Sequence, residues 1–493
     1  MTVTTIPGAS TVADGELIST SPATGQEVAR VTVATPADVA SAVARARQAG
    51  AWWREIGFDA RRKRLLRWRK ALVAHIHELG ELIHQEGGKP VDEALLEIVA
   101  SVDHIAWAAR NAKKTLKSRS VRGTLLQPEY AAFLEYQPYG VVGVIGPWNF
   151  PIFTPMGSIA YAMAAGNAVV FKPSEYTPAT GQFYVDLFRE IVPEQPVLQI
   201  VHGMGEVGEA LCRAGVDKIS FTGSPGTARK VMAACAQTLT PVVIEGGGKD
   251  AVIIDADADL DAAAEAVAWG ANFNAGQACV GIERAYVHER VYDAFLGKLL
   301  GETSKIRPEQ VGPITMPAQR AIIKRHIDTA LADGGRALLG GPDAVRGAHV
   351  KPTILVEVPE TSAAVKEETF GPTVTVTKVS TMDEAVALAN ATEYGLGSAV
   401  FAKSRGMELA RRLRSGMTSV NSAFSFAVLP ALPFGGVGNS GFGRIHGEDG
   451  LREFTRVKSI AKRRMPSIPA MLTFHRTPAG VRLALKVVRF LHG

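Results

Sequence analysis

A chain of 493 residues with 54 Lys plus Arg against 48 Asp plus Glu has a formal charge of +6. Over this length the excess is too small to argue for nucleic acid, and is compatible with an anionic cofactor or an anionic membrane surface. With 46% apolar residues the chain can fill two or three structural units around a large core. Three cysteines, Cys212, Cys235 and Cys279, cannot all pair within one chain, so a reducing compartment is expected and a disulfide framework is not. Residues 1–21 lack the basic flank and apolar core of a secretory signal, and no run of about 18 apolar residues suggests a membrane span. The expected location is cytoplasmic.

In chain order, residues 38–56, 59–85 and 92–117 read as helices. In the second, Leu65, Trp68, Leu72, Ile76, Leu79 and Ile83 recur at helical spacing as one apolar stripe, opposite a face of Arg61, Arg62, Lys63, Arg67 and Lys70 expected to be solvated. Residues 121–139 alternate like a strand pair. From Val141 to Asp255 short apolar strands, at 141–145, 168–171, 197–201, 218–222, 241–244 and 251–254, alternate with helices. That rhythm predicts an α/β fold with a doubly wound parallel sheet, whose ligands sit at the carboxyl ends of the strands. Asn149, Lys172, Glu175, Gly223, Ser224 and Glu245 all fall just past strand ends, which points to one shared cleft.

Three residues in this pattern carry chemistry. Cys279 follows a Gly-Gln pair at a boundary where nearby amide N–H groups can lower a thiol pKa, so it is a candidate nucleophile present as thiolate; the alternative is a small buried hydrophobe. Glu245 enters Gly246-Gly247-Gly248-Lys249 from an apolar strand and can serve as a base. Asn149 ends another strand, where its amide can donate to a developing oxyanion. Gly203-Met204-Gly205-Glu206-Val207-Gly208 matches the dinucleotide fingerprint, but the region about 20 residues on offers no carboxylate for the ribose.

Pro-Trp-Asn-Phe-Pro at 147–151, Phe-Lys-Pro-Ser-Glu at 171–175, Phe-Thr-Gly-Ser at 221–224, Glu-Gly-Gly-Gly-Lys at 245–249, Gly-Gln-Ala-Cys at 276–279, Glu-Glu-Thr-Phe-Gly-Pro at 367–372 and Pro-Phe-Gly-Gly at 433–436 occur in one order. In that order and spacing the chain resembles the NAD(P)-dependent aldehyde dehydrogenase superfamily over about residues 15–460. The resemblance implies a Rossmann-type NAD-binding domain from 15–118 and 139–247, and an α/β catalytic domain at 248–436. It further implies a small β oligomerisation arm at 119–138 and 437–460, in a homodimer or homotetramer. By the same resemblance, Cys279 attacks an aldehyde to form a thiohemiacetal and then a thioester, Asn149 holds the oxyanion and Glu245 activates water.

Ile145, Pro147, Trp148, Gly205, Phe221, Thr222, Gly223 and Ser224 are implied to contact the cofactor. Lys172 with Glu175 is implied at the adenine ribose, Glu368 at the nicotinamide ribose and Phe370 at the ring. A carboxylate at 175 repels a 2′-phosphate, so NAD is favoured, with NADP left open by Lys172. Phe150, Phe273 and Phe434 are candidate walls of an apolar aldehyde site, or plain core. A CoA-acylating enzyme and a catalytically silent binding protein are the alternatives, and Glu245 argues against the first.

Two departures stand out: Gly246 where the family more often has Leu, expected to loosen the segment carrying the base, and Asp250 after the lysine. No Cys-x-x-Cys or His-Glu-x-x-His supports a metal, and His75, His77 and His84 read as ordinary residues of one helix. The tail, 461–493, ends in a basic amphipathic segment with Arg482, Lys486 and Arg489 on one face. It packs on protein or makes peripheral membrane contact, and Gly435 to Gly441 resembles the branch that includes membrane-associated fatty aldehyde dehydrogenases.

Overall fold

A computed structural model describes residues 8–122, 129–466 and 473–492. Thr35 and Asp38 open the first helix, Pro36–Glu55, with reciprocal side-chain to backbone bonds, a capping box. The helix expected over 59–85 is two, Gly57–Ala74 and Ile76–Gly87. The break falls at His75, whose φ of −107° and ψ of 22° leave the helical region and whose Nδ1 meets Glu78 Oε2 at 2.9 Å. His75 and His84 therefore do not share one helix. The apolar stripe runs on through the break, with Leu65, Trp68, Leu72, Leu79 and Ile83 all buried.

Arg61 departs from its expected solvated face. It is buried, donates to the carbonyls of Trp53, Arg54 and Ala164, and burial pulls its pKa down to about 10. Arg62, Lys63, Arg67 and Lys70 are exposed as expected.

A six-stranded sheet has the order Gly441–Phe442, Val242–Glu245, Lys218–Thr222, Val141–Ile145, Ala168–Lys172 and Leu198–Ile200, parallel except for the first pair. The strand expected as its sixth member, Asp250–Ile254, lies instead in a second sheet of seven, paired in parallel with Ile282–His288 and Ser398–Phe401. Gly246, Gly247 and Gly248 carry the chain from one sheet to the other. A Cβ on these glycines would meet, respectively, Asn439 O at 2.5 Å, Glu368 Oε2 at 2.2 Å and Cys279 O at 2.3 Å. Gly246 is therefore wedged, not loosened, and its N–H donates to Ser440 O at 3.0 Å.

A third sheet joins Arg119–Val121, Tyr130–Pro138 and Thr455–Arg463, all antiparallel; residues 123–128 lie outside the described residues. Of the segment expected at 437–460, Gly441–Phe442 pairs with the strand of Glu245, whereas Thr455–Arg463 pairs within this third sheet. The tail forms helix Pro478–His492, with none of its side chains buried.

Candidate active site

The site begins with a turn that few residue types tolerate. Helix Leu260–Asn272 runs into Phe273–Gly276, where Asn274, Ala275 and Gly276 take φ values of 50°, 56° and 69°. Such left-handed backbone costs about 1–2 kcal/mol for each non-glycine residue, so the surroundings must hold it. Asn274 Nδ2 donates to Asn149 O at 3.1 Å and Gln277 O at 3.2 Å, Gln277 Nε2 to Asn274 O at 2.9 Å, and Thr315 N–H to Gln277 Oε1 at 2.8 Å. Gly276 admits no side chain, because a Cβ would lie 2.2 Å from the Gly371 backbone. Three of the sequence motifs thus lock the loop that delivers Cys279.

Asn149 is buried and its Nδ2 donates to Gln277 O at 3.0 Å, two residues before the cysteine. Glu245 stands in register with Thr222 on the adjacent parallel strand, and the Thr222 hydroxyl donates to Glu245 Oε2 at 3.1 Å. The other oxygen, Oε1, is buried without a hydrogen-bond partner. Burial raises the Glu245 pKa to about 7, against the lowering effect of Cys279 and Thr222.

Cys279 and Glu245 line one cavity of about 160 Å³. The expectation of a resting thiolate is overturned. Cys279 lies in the turn between Phe273–Gly276 and strand Ile282–His288, not at a helix N-terminus. Burial first, and the Glu245 carboxylate second, push its thiol well above the usual range. Burial thus biases both the sulfur and the carboxyl group beside it toward their neutral forms.

Phe150, Phe273 and Phe434 line the same cavity. Lys89 Nζ lies 3.8 Å from the centroid of the Phe150 ring and forms a buried ion pair with Glu97. Glu97 Oε1 accepts from the N–H groups of Ile152 and Phe153 at 2.9 and 3.0 Å, fixing the start of helix Phe153–Ala165. Trp269, Phe424 and Phe153, which sequence reasoning missed, complete the wall. Trp269 stacks on Phe273 at 4.8 Å and Phe424 packs on it at 5.1 Å. The four-residue step from Trp269 to Phe273 was a usable signal. Nothing local marks Phe153 or Phe424.

Residues 11–460 match the aldehyde dehydrogenase family. The chain belongs to that family. It is 36% identical to a 4,4'-diapolycopene aldehyde oxidase of Methylomonas sp, covering 92% of this chain and 87% of the relative. It is 35% identical to a glutarate-semialdehyde dehydrogenase of Pseudomonas putida, covering 90% and 93%. The crystal structure of an NAD-dependent aldehyde dehydrogenase from Sinorhizobium meliloti superimposes with a TM-score of 0.88 at 32% identity, covering 94% of this chain and 95% of that one. This aldehyde dehydrogenase is thus an oxidoreductase that acts on aldehydes with a nicotinamide dinucleotide.

The edge beside the cavity fits that dinucleotide. Glu245, Thr222, Ile145 and Lys172 end four neighbouring parallel strands. Helices Gly205–Arg213 and Pro225–Ala236 start just beyond strands of this sheet, and a Cβ at Gly205 or Gly226 would meet nothing within 4 Å, leaving room for a phosphate at the helix starts. Gly208 closes the fingerprint by packing over Lys172 and Ile145. Ser224 caps the second helix by accepting from Thr227 N–H at 3.3 Å. Lys172 Nζ donates to Pro173 O at 2.9 Å, with Glu175 Oε2 3.8 Å away, and burial lowers the ammonium pKa.

Trp148, preceded by Pro147, meets Phe370 edge-on with centroids 5.5 Å apart. Glu368 Oε1 accepts from Gly248 N–H at 2.8 Å, and burial raises its pKa to about 8. The Phe221 ring lies buried against Gly223, so that side chain belongs to the core and not to the cleft.

Proposed function

We propose that this enzyme converts apolar aliphatic or aromatic aldehydes to free carboxylic acids, with Cys279 as nucleophile, Asn149 as oxyanion donor and Glu245 as base. The observation that carries this reading is the meeting of Cys279 and Glu245 in one aromatic-walled cavity. Glu245 takes the thiol proton as the sulfur adds to the aldehyde carbon. The carbonyl oxygen gains the charge, opposite the Asn149 amide and the Cys279 N–H. A dinucleotide held at Lys172, Glu175 and Glu368 would supply the hydride acceptor, and loss of hydride from the former aldehyde carbon leaves a thioester on Cys279. Glu245 passes that proton to solvent and, as carboxylate again, deprotonates a water that adds to the thioester carbon; the carbon–sulfur bond breaks, the acid leaves, and the proton now on Glu245 returns to the sulfur.

Lys172, Glu175, Gly205, Ser224, Glu368 and Phe370 are the residues that hold the cofactor. The Glu175 carboxylate beside Lys172 favours NAD over NADP. Among the described residues no Lys, Arg or His lines the cavity, whereas Glu93 and Glu97 do, which disfavours an anionic semialdehyde; the Methylomonas relative is named for 4,4'-diapolycopene aldehyde. The arm sheet fits a homodimer or homotetramer, and the exposed helix Pro478–His492 fits peripheral contact with a membrane. No described helix is long and apolar enough to cross one.

The test is NADH production from an alkanal and benzaldehyde series, with and without CoA. Turnover without CoA that Cys279→Ser abolishes is expected. A CoA requirement, or an optimum at a charged semialdehyde, rejects the reading.

A further inference from the structure

The mouth of the cavity is apolar where a protein surface in water is ordinarily charged. On helix Val91–Leu116 the exposed positions between Asp92 and Asp103 are Leu96 and Val99. The segment Val428-Leu429-Pro430-Ala431-Leu432-Pro433 holds no polar side chain. Leu96, Val99, Trp269, Val428, Leu429 and Leu432 are each between 43% and 63% exposed. Leu96, Trp269 and Val428 line the cavity together with Cys279. Val99 is one turn of helix from Leu96, Leu429 follows Val428, and Leu432 N–H donates to Leu429 O at 2.9 Å. Six large apolar side chains from three segments therefore gather at one opening, and an apolar patch of this kind marks a site of association.

We propose that this rim seats on the surface of an anionic bilayer, so that an apolar aldehyde enters the cavity from lipid and not from water. The proposal rests on the reading of that cavity as the aldehyde site. Charge supplies the complementarity. Residues 461–493 contain seven Lys and Arg and no Asp or Glu, more than the whole formal excess of +6, so the rest of the chain is one charge negative. Helix Pro478–His492 sets Arg482, Lys486 and Arg489 on one face, while Leu483, Leu485 and Phe490 stand exposed on the others. A cationic helix with exposed apolar flanks binds the headgroup region of anionic lipid, and the rim offers lipid an apolar contact of its own at the substrate's entrance.

The full chain is compared with a Val99→Glu, Leu429→Glu, Leu432→Glu variant, whose altered positions do not line the cavity. Substrates are dodecanal carried in phosphatidylserine vesicles and propanal dissolved in water. The variant is expected to lose about tenfold on vesicle-borne dodecanal, with propanal turnover unchanged. Equal rates on vesicle-borne dodecanal overturn the proposal. So does a smaller oligomer for the variant, which assigns the rim to a second copy of the chain. Should the variant misfold, the parent decides: Trp269 fluorescence, read as the difference from Trp269→Phe, must be quenched by spin-labelled lipid, and its absence overturns the rim. Propanal turnover that survives Cys279→Ser counts instead against the reading of the active site.

Discussion

Thr222 and Glu245 face one another in register across two parallel strands, and the Thr222 hydroxyl donates to Glu245 Oε2 at 3.1 Å. The bond holds one carboxylate oxygen while the other has no hydrogen-bond partner. The residue is thus oriented but only half solvated by protein, which is how a fold makes a carboxyl group basic near neutrality.

Burial lifts the Glu245 pKa from the ordinary 4.5 to about 7, so the folded protein keeps a proton that the unfolded chain gives up over that interval. Stability attributable to this residue therefore falls as pH rises from 4.5 to 7 and is level above. Glu245→Gln should gain up to about 3 kcal/mol at pH 8 and nothing at pH 4, while turnover drops at least about 100-fold. Denaturant unfolding at both pH values checks the first part. A gain of equal size at pH 4 contradicts it.

Gly246→Leu, the residue more usual in the family, should not fit here. Its Cβ would lie 2.5 Å from Asn439 O. The backbone must shift, at a cost of about 1–3 kcal/mol, and the strand end that bears Glu245 shifts with it. A lower melting temperature and reduced kcat are expected. An unchanged melting temperature tells against the wedge.

Glu175→Gln removes the carboxylate 3.8 Å from Lys172 Nζ, the negative charge that would face a 2′-phosphate, and leaves Glu206 as the remaining acid acting on Lys172. The ratio of kcat/KM for NADP over NAD should rise by about tenfold, a difference of about 1.4 kcal/mol. Steady-state kinetics with both cofactors measures it, and an unaltered ratio removes Glu175 from the adenine ribose.

Lys89 and Glu97 are a buried ion pair under the Phe150 ring. Lys89→Ala strands an uncompensated carboxylate and should cost about 3–5 kcal/mol, whereas Lys89→Met with Glu97→Gln should recover most of it. The glutamine oxygen still accepts from Ile152 and Phe153. Chemical denaturation of the three proteins gives the comparison.

Much of the parallel sheet was legible because its strands are short apolar runs, and polar residues at or shortly after their carboxyl ends were the candidates for chemistry. Asn149, Lys172 and Glu245 were found in this way. What escaped depends on neighbours in space. An apolar strand such as Asp250–Ile254 reads the same in either sheet, and the stripe through Leu72 and Leu79 is blind to the backbone turn at His75. The protonation of Cys279 was misjudged because its sign is set by burial and by Glu245, 34 positions away. Arg61 looked like its solvated neighbours until helix Phe153–Ala165 brought Ala164 O within 3.3 Å of its guanidinium.

Glu245 ends a strand of the six-stranded sheet, and Cys279 precedes a strand of the seven-stranded one. Neither lobe alone holds both groups. Their separation is set at the seam, where three residues without side chains let the halves close to backbone contact. Because each group shifts the other's pKa, a mutation or ligand that alters the closure of the seam will move both together.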